Sequence, residues 1–387
     1  MRSGSAPPFR LTVASILLDA LRGAAALLVC IGHWRYFFFV DYPEIPMHRG
    51  WLFLPYLMCT MGHQAVIVFF VLSGYLVGGH VLRALETGQW SWSNYFVQRG
   101  VRLWIVLLPA LALGGILDFA ALHFRLAPAL YAGQVANHIT FNVHNVLTWK
   151  TLLSNCFFLQ TIATPAFGSN AALWSLANEF WYYLIFPLGL LALRGPYSAA
   201  KRIAMAIACL CICYGVGAGI VSLLPVWLLG VLLAILPVWR TAAWMRWLAL
   251  ALYFPFFAAV SRDGITGHFP PDYALGLATF GLMYVLLGAR EVASGRWYER
   301  PIRTLAGFSY TLYLVHTPML MLLTALLAGE SRWLPDAKHI AVALPVLLFV
   351  VGYAYLIAKG TEFRTNEVRD WLRQLLPKPA ASVVTPK

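Results

Sequence analysis

Apolar residues run along this chain in blocks of about twenty, separated by short stretches rich in Lys, Arg, Pro and Gly. A helix needs about 20 such positions to cross the hydrocarbon core of a bilayer. Ten blocks approach that length: 14–36, 63–82, 101–122, 174–193, 203–222, 223–239, 244–260, 273–289, 305–327 and 339–358. The fifth and sixth are divided only by a turn near Pro225. The pattern predicts an all-α integral-membrane bundle of about ten transmembrane helices, with no internal repeat. Composition strengthens it: 60% of residues are hydrophobic and 11% charged, where soluble domains carry about a quarter charged residues.

Charge adds an orientation. Twenty of the 28 Lys and Arg fall in segments 1–13, 83–102, 194–202, 240–246, 290–304 and 359–387, against seven on the opposite side. That bias puts both termini in the cytoplasm. Spread over short connections, the net charge of +13 does not form a nucleic-acid-binding patch. The basic N-terminus leads into a block that meets Asp19 early and lacks a small-residue cleavage site, so it reads as an uncleaved first span. Residues 1–358 then form the membrane domain and 359–387 a basic cytoplasmic tail, in which "FRTNEVRDWLRQLL" repeats apolar positions at helical spacing. No fused soluble domain is expected. Residues 37–62 and 123–173 are longer, more polar outer stretches where an external substrate would dock. The six cysteines lack zinc-ligand spacing, and no metal is expected.

The first block breaks its own pattern with Asp19, Arg22 and His33. A charged group inside a span costs several kcal/mol unless it is paired or hydrated. Eleven positions at 100° each bring Arg22 and His33 to within about 20° of one face, about 16 Å apart along the axis. Asp19 stands one turn before Arg22, placed to neutralise it. An ion-pair lock with an interfacial histidine accounts for this stripe. So does a catalytic one, because an imidazole there is suited to take a proton from a hydroxyl. The spacing leaves both readings open.

The segment "LDALRGAAALLVCIGHW" resembles the first helix of the membrane-bound acyltransferase-3 family, bacterial O-acyltransferases that modify sugars and other cell-surface molecules. The family's mark, a basic residue, ten intervening residues and then His, falls on Arg22 and His33. Four more blocks follow in the family's order: "VIVFFVLSGYLVG", "FVQRGVRLWIVLLPAL", "LWSLANEFWYYLIFPL" and "GFSYTLYLVHTPML". The five together run from Leu18 to Leu320.

Roles follow from the resemblance. It implies that Arg99 and Arg102, one turn apart at a cytoplasmic helix end, hold the phosphates of an acyl-CoA; topology alone also explains arginines there. Ser73 and Gly74 would line a narrow acyl passage, although small residues equally serve helix contacts. Glu179, expected at the depth of His33, would assist it as a catalytic carboxylate. Read alone, it is an interfacial Glu among the belt aromatics Trp174, Trp181, Tyr182 and Tyr183. His316, two residues before Pro318, would contact the thioester region or stabilise the bundle. Arg22 would position the donor or stabilise the oxyanion of the thioester carbonyl, Asp19 supports it, and His63 faces outward with a less clear motif match.

The implied protein is a multi-pass O-acyltransferase of the bacterial cytoplasmic membrane. It would move an acyl group, foremost acetyl, from acetyl-CoA to a hydroxyl of a glycan or glycolipid such as lipopolysaccharide. Acetyl-CoA is a co-substrate here, and no permanently bound cofactor is implied. The His-x-x-x-x-Asp motif of soluble acyltransferases is absent at His33 and His316. Many relatives also carry an extracytoplasmic hydrolase-like domain. Either this membrane domain transfers directly, or a separate extracytoplasmic partner completes the reaction. The rival reading is a proton-coupled transporter of a polysaccharide intermediate or small metabolite, for which intramembrane Asp, Arg, His and Glu are equally suited. The lack of repeated halves counts against it.

Overall fold

The computed structural model describes residues 12–46, 50–135, 140–263, 270–292 and 297–375. The basic N-terminal stretch, parts of both quoted outer stretches and the end of the tail lie outside the described residues. Helix occupies most of each of the ten predicted blocks, with the fifth interrupted at Gly217 and the sixth ending at Ile235. The helices are α1 (Val13–Phe38) and α2 (Gly62–Ser73), which passes through a π-helical turn (Gly74–Gly78) into α3 (Gly79–Glu86), then α4 (Trp92–His123), α5 (Trp174–Arg194) and α6 (Ala199–Val216). There follow α7 (Leu224–Ile235), α8 (Ala243–Asp263), α9 (Pro271–Leu287), α10 (Ser309–Leu327), α11 (Ala337–Gly360) and α12 (Thr365–Leu375). Among the described residues, nine helical stretches are long and apolar enough to cross a membrane, and α9 falls just short with 17 residues.

Side-chain caps set the helix starts. Thr12, Ser91 and Asp336 accept from Ser15 N, Asn94 N and His339 N at the N-termini of α1, α4 and α11, which satisfies backbone donors that have no partner within the helix. Position in the bundle follows from which faces are apolar. In the stretches containing α2 and α10, 67% of the apolar window is buried, against 6% in α6. Every residue of α10 from Thr311 to Met321 is buried, as expected of a helix apolar all round. α1, α2, α4, α5 and α10 pack about this centre. At one end of the bundle Val13 N bonds Glu291 O at 2.9 Å, and Arg373 of α12 reaches Asn94 at 3.0 Å. At the other, Trp333 N bonds Phe38 O at 2.7 Å.

Two prolines create ties inside the bundle, one of which anchors the outer stretch. Proline has no N–H, so the carbonyl four residues earlier loses its helical partner, and a buried carbonyl needs another. For Pro318 that carbonyl is Leu314, and Asn170 Nδ2 donates to it at 2.7 Å. For Pro187 it is Tyr183, which accepts from Tyr95 Oη at 2.9 Å. Asp118 adds a further tie, accepting from Ser169 N and Oγ at 2.7 Å each. The later part of 123–173 is therefore no free docking loop: Phe158, Gln160 and Ser169 are fully buried, because polar groups inside the bundle need the partners it supplies. Asn170→Ala is expected to destabilise by about 1–3 kcal/mol through the unpaired Leu314 carbonyl. Thermal unfolding in detergent measures this, and an unshifted Tm would refute it.

Candidate active site

Five helices, α1, α2, α4, α5 and α10, line two cavities set end to end. The outer cavity, about 440 Å³, is bordered by His33, Arg35, Tyr36, Thr60, His63 and Trp174 among others. The inner, about 110 Å³, is bordered by Arg22, Arg99, Arg102, Ser73, Glu179 and Tyr183, with apolar Val66, Phe69, Phe70 and Leu176. Val66 and Tyr313 border both.

In the outer cavity, His33 Nδ1 lies 2.7 Å from His316 Nε2, with the rings stacked at 5.0 Å between centroids. His316 Nδ1 lies 2.9 Å from the Leu312 carbonyl. A carbonyl only accepts, so His316 carries its proton on Nδ1 and presents a bare Nε2. His33 must then donate from Nδ1, which leaves its Nε2 as the lone-pair nitrogen. Such a ring is oriented for proton abstraction, since a partner on one nitrogen fixes the role of the other. The charge of Arg35 is neutralised by Asp41, which Arg332 also holds at 3.0 Å. Burial raises the Asp41 carboxyl, but the hydrogen bonds from Arg332 and Arg35 outweigh it and leave it below its ordinary value. At the cavity mouth His63 Nε2 lies 3.0 Å from Asp272 Oδ1 and stacks on Trp174.

The inner cavity is cationic. Arg22 pairs with Asp19 at 3.2 Å. Among the described residues neither Arg99 nor Arg102 has an ion-pair partner, and the Nε atoms of Arg22 and Arg99 are buried without a hydrogen bond. Glu179 is the carboxylate in the lining of this cavity. Its Oε1 accepts from Ser73 Oγ at 3.0 Å and from Tyr183 Oη, while Trp227 Nε1 donates to Ser73 Oγ at 3.2 Å. Asp19 and Glu362 lie close to Arg22 and Arg102. Arg99, with no ion-pair partner among the described residues and an unbonded Nε, is therefore the group best placed to receive an anionic ligand, since buried charge demands a partner.

Several expected sites therefore sit differently. Arg22 and His33 share a face, but Arg22 borders the inner cavity and His33 the outer. Glu179 does not reach the depth of His33. It lies five residues, about 7.5 Å, further along α5 than Trp174, and bonds Ser73 instead. His316, for which the sequence leaves the thioester region and a role in stabilising the bundle both open, borders neither cavity and lies fully buried beside His33. Ser73 borders the inner cavity but Gly74 does not: a Cβ there would overlap the Trp227 carbonyl oxygen of α7. Gly74 serves a helix crossing. Val66, Tyr183 and Tyr313 went unremarked as site residues. The only local signals were Tyr183 one turn after Glu179 and Tyr313 one turn before His316, and aromatics are too common in spans for that to single them out.

Residues 16–359 match the model of the acyltransferase-3 family, described as an acyltransferase domain. No curated protein and no solved structure matches the chain.

Proposed function

The chain belongs to the acyltransferase-3 family and is a multi-pass membrane acyltransferase, and from that premise we propose that it moves an acetyl group from acetyl-CoA to a hydroxyl of a cell-surface glycan or glycolipid. One observation carries the reading: a cationic cavity and a histidine-bearing cavity meet end to end at Val66 and Tyr313. The cavity with the arginines lies toward the basic, cytoplasmic end of a bacterial inner-membrane bundle.

In this mechanism Arg99 and Arg102 bind the phosphates of the donor, and the pantetheine arm extends past Arg22 toward the joint between the cavities. Glu179, tied to Ser73 and Tyr183, accepts an amide N–H of that arm. The acceptor hydroxyl occupies the outer cavity and gives its proton to His33 Nε2. Its oxygen attacks the thioester carbonyl, the C–O bond forms, the C–S bond breaks, and His33 returns the proton to the leaving sulfur. His316 touches no reactant and acts by holding the tautomer of His33. Transfer occurs directly across the joint.

Titrating acetyl-CoA into purified protein tests the donor site. Arg99→Ala and Arg102→Ala are each expected to weaken binding by about 10- to 100-fold, the worth of a hydrogen bond to a charged group. Unchanged affinity in both would remove the phosphates from this cavity. Deletion of the protein is expected to strip acetyl substituents from surface glycans or glycolipids, read by mass analysis. Unaltered masses would refute that acceptor class.

A further inference from the structure

The lining of each helix changes along its length. Along α2 and the π-helical turn that continues it, Gly62 and His63 border the outer cavity, and Ser73, Leu76 and Val77 the inner, with the change at Val66. On α10, Ser309 and Tyr310 border the inner cavity, and Tyr313 is where it meets the outer. Val66 and Tyr313 are the side chains common to both linings. They are nearly closed off, Val66 being 3% and Tyr313 7% exposed.

The two sides of this joint differ in character. Tyr313 is pinned: its hydroxyl lies 2.7 Å from Ser175 Oγ and donates to the Ala172 carbonyl at 2.9 Å. Its ring packs against Phe69 with centroids 6.0 Å apart. Turning it aside would break buried hydrogen bonds, each expensive to leave unmade. Val66 has no polar tie, and its β-branched side chain is restricted to few rotamers on a helix. The opening is therefore a rigid aromatic edge facing a stiff aliphatic one, with Phe69 and Phe70 one turn along α2 on the donor side.

Resting on the proposed acyl-CoA reading, we infer that Val66 and Tyr313 form the aperture through which the acyl group reaches the acceptor, and that the bulk of Val66 sets the longest acyl chain transferred. Val66→Ala removes two methyl groups from the aliphatic side of the aperture and admits longer chains. Val66→Ile adds one methylene and narrows it. Neither change touches the arginines that bind the donor or the histidine that activates the acceptor.

The test compares labelled acetyl-, propionyl- and butyryl-CoA supplied to membrane vesicles from the source cells, reading the label transferred to vesicle material. One methylene in an apolar site discriminates by about 10- to 200-fold. Val66→Ala is expected to raise the butyryl-to-acetyl ratio by at least about tenfold, and Val66→Ile to lower it below wild type. Donor affinity is expected to stay constant in both. Unchanged ratios in variants that still transfer acetyl overturn the aperture and leave the donor reading standing. If Val66→Ala fails to fold, an unchanged ratio in Val66→Ile alone overturns it. Wild-type vesicles that consume none of the three donors overturn the acyl-CoA reading, and the aperture falls with it.

Discussion

His33→Ala is expected to lower acyl transfer by about 10²- to 10⁴-fold, the range supplied by a positioned general base. Donor binding should persist, because His33 borders the outer cavity and the arginines the inner. The assay is transfer of labelled acetyl from acetyl-CoA in membranes containing equal amounts of inserted protein. Full transfer by such a protein would exclude His33 as the base. His316→Phe keeps a ring in the same place but withdraws the acceptor 2.7 Å from His33 Nδ1. The proton of His33 is then free to sit on either nitrogen, and the Nε2 lone pair is no longer assured. A smaller drop in kcat is expected, with KM for the donor unchanged. A packing defect would instead lower stability and donor affinity together, so the split between kcat and KM decides between positioning and structure.

Gly74→Ala is expected to prevent accumulation of folded protein. The π-helical turn that begins at Gly74 brings α2 and α7 to backbone contact. A Cβ on Gly74 would overlap the Trp227 carbonyl, and one on Gly230 would overlap the Val71 carbonyl. Both obstacles are main-chain atoms, which cannot turn aside as a side chain can. Overpacking costs about 1–3 kcal/mol where side chains can shift, and here α2 and α7 must separate. The separation would also carry Trp227 away from Ser73, and with it the hydrogen-bond chain that holds Glu179. Gly352 supplies the control, since nothing lies within 4 Å of a Cβ built there. Gly352→Ala is expected to leave stability near wild type. Monodisperse yield and Tm in detergent measure both, and a Gly74→Ala protein as stable as wild type would show that the crossing can relax.

The resemblance of the first helix supplied the pair Arg22 and His33, and helical geometry alone already put them on one face. The same reasoning misplaced Glu179. Its neighbourhood of Trp and Tyr reads as an interfacial belt, and α5 begins at Trp174 with Glu179 more than a turn inside. Gly74 lacks a side chain, which suits a narrow passage as well as a helix crossing, and only the approach of the Trp227 carbonyl decides for the crossing. The outer stretch 123–173 looked like a solvated loop because it is polar. Asn170 and Ser169 are polar because buried carbonyl and carboxylate groups await them, and composition cannot distinguish a group facing water from one that replaces it.

By itself the sequence determined the helical class, the ten apolar blocks and the shared face of Asp19, Arg22 and His33. Each is a local property, set by hydrophobic run length and by 3.6 residues per turn. Tertiary structure alone decided the meeting of His33 with His316, 283 positions apart, the turn of Glu179 toward Ser73, and the joint at Val66 and Tyr313. These depend on how far each helix slides along its neighbours. Gly23 of α1 lies against Leu305 and Ala306, just before α10 begins, so α1 starts well below α10 and His33 comes level with His316. That offset follows from side chains interlocking between segments far apart in the chain, which no periodicity within a single segment records.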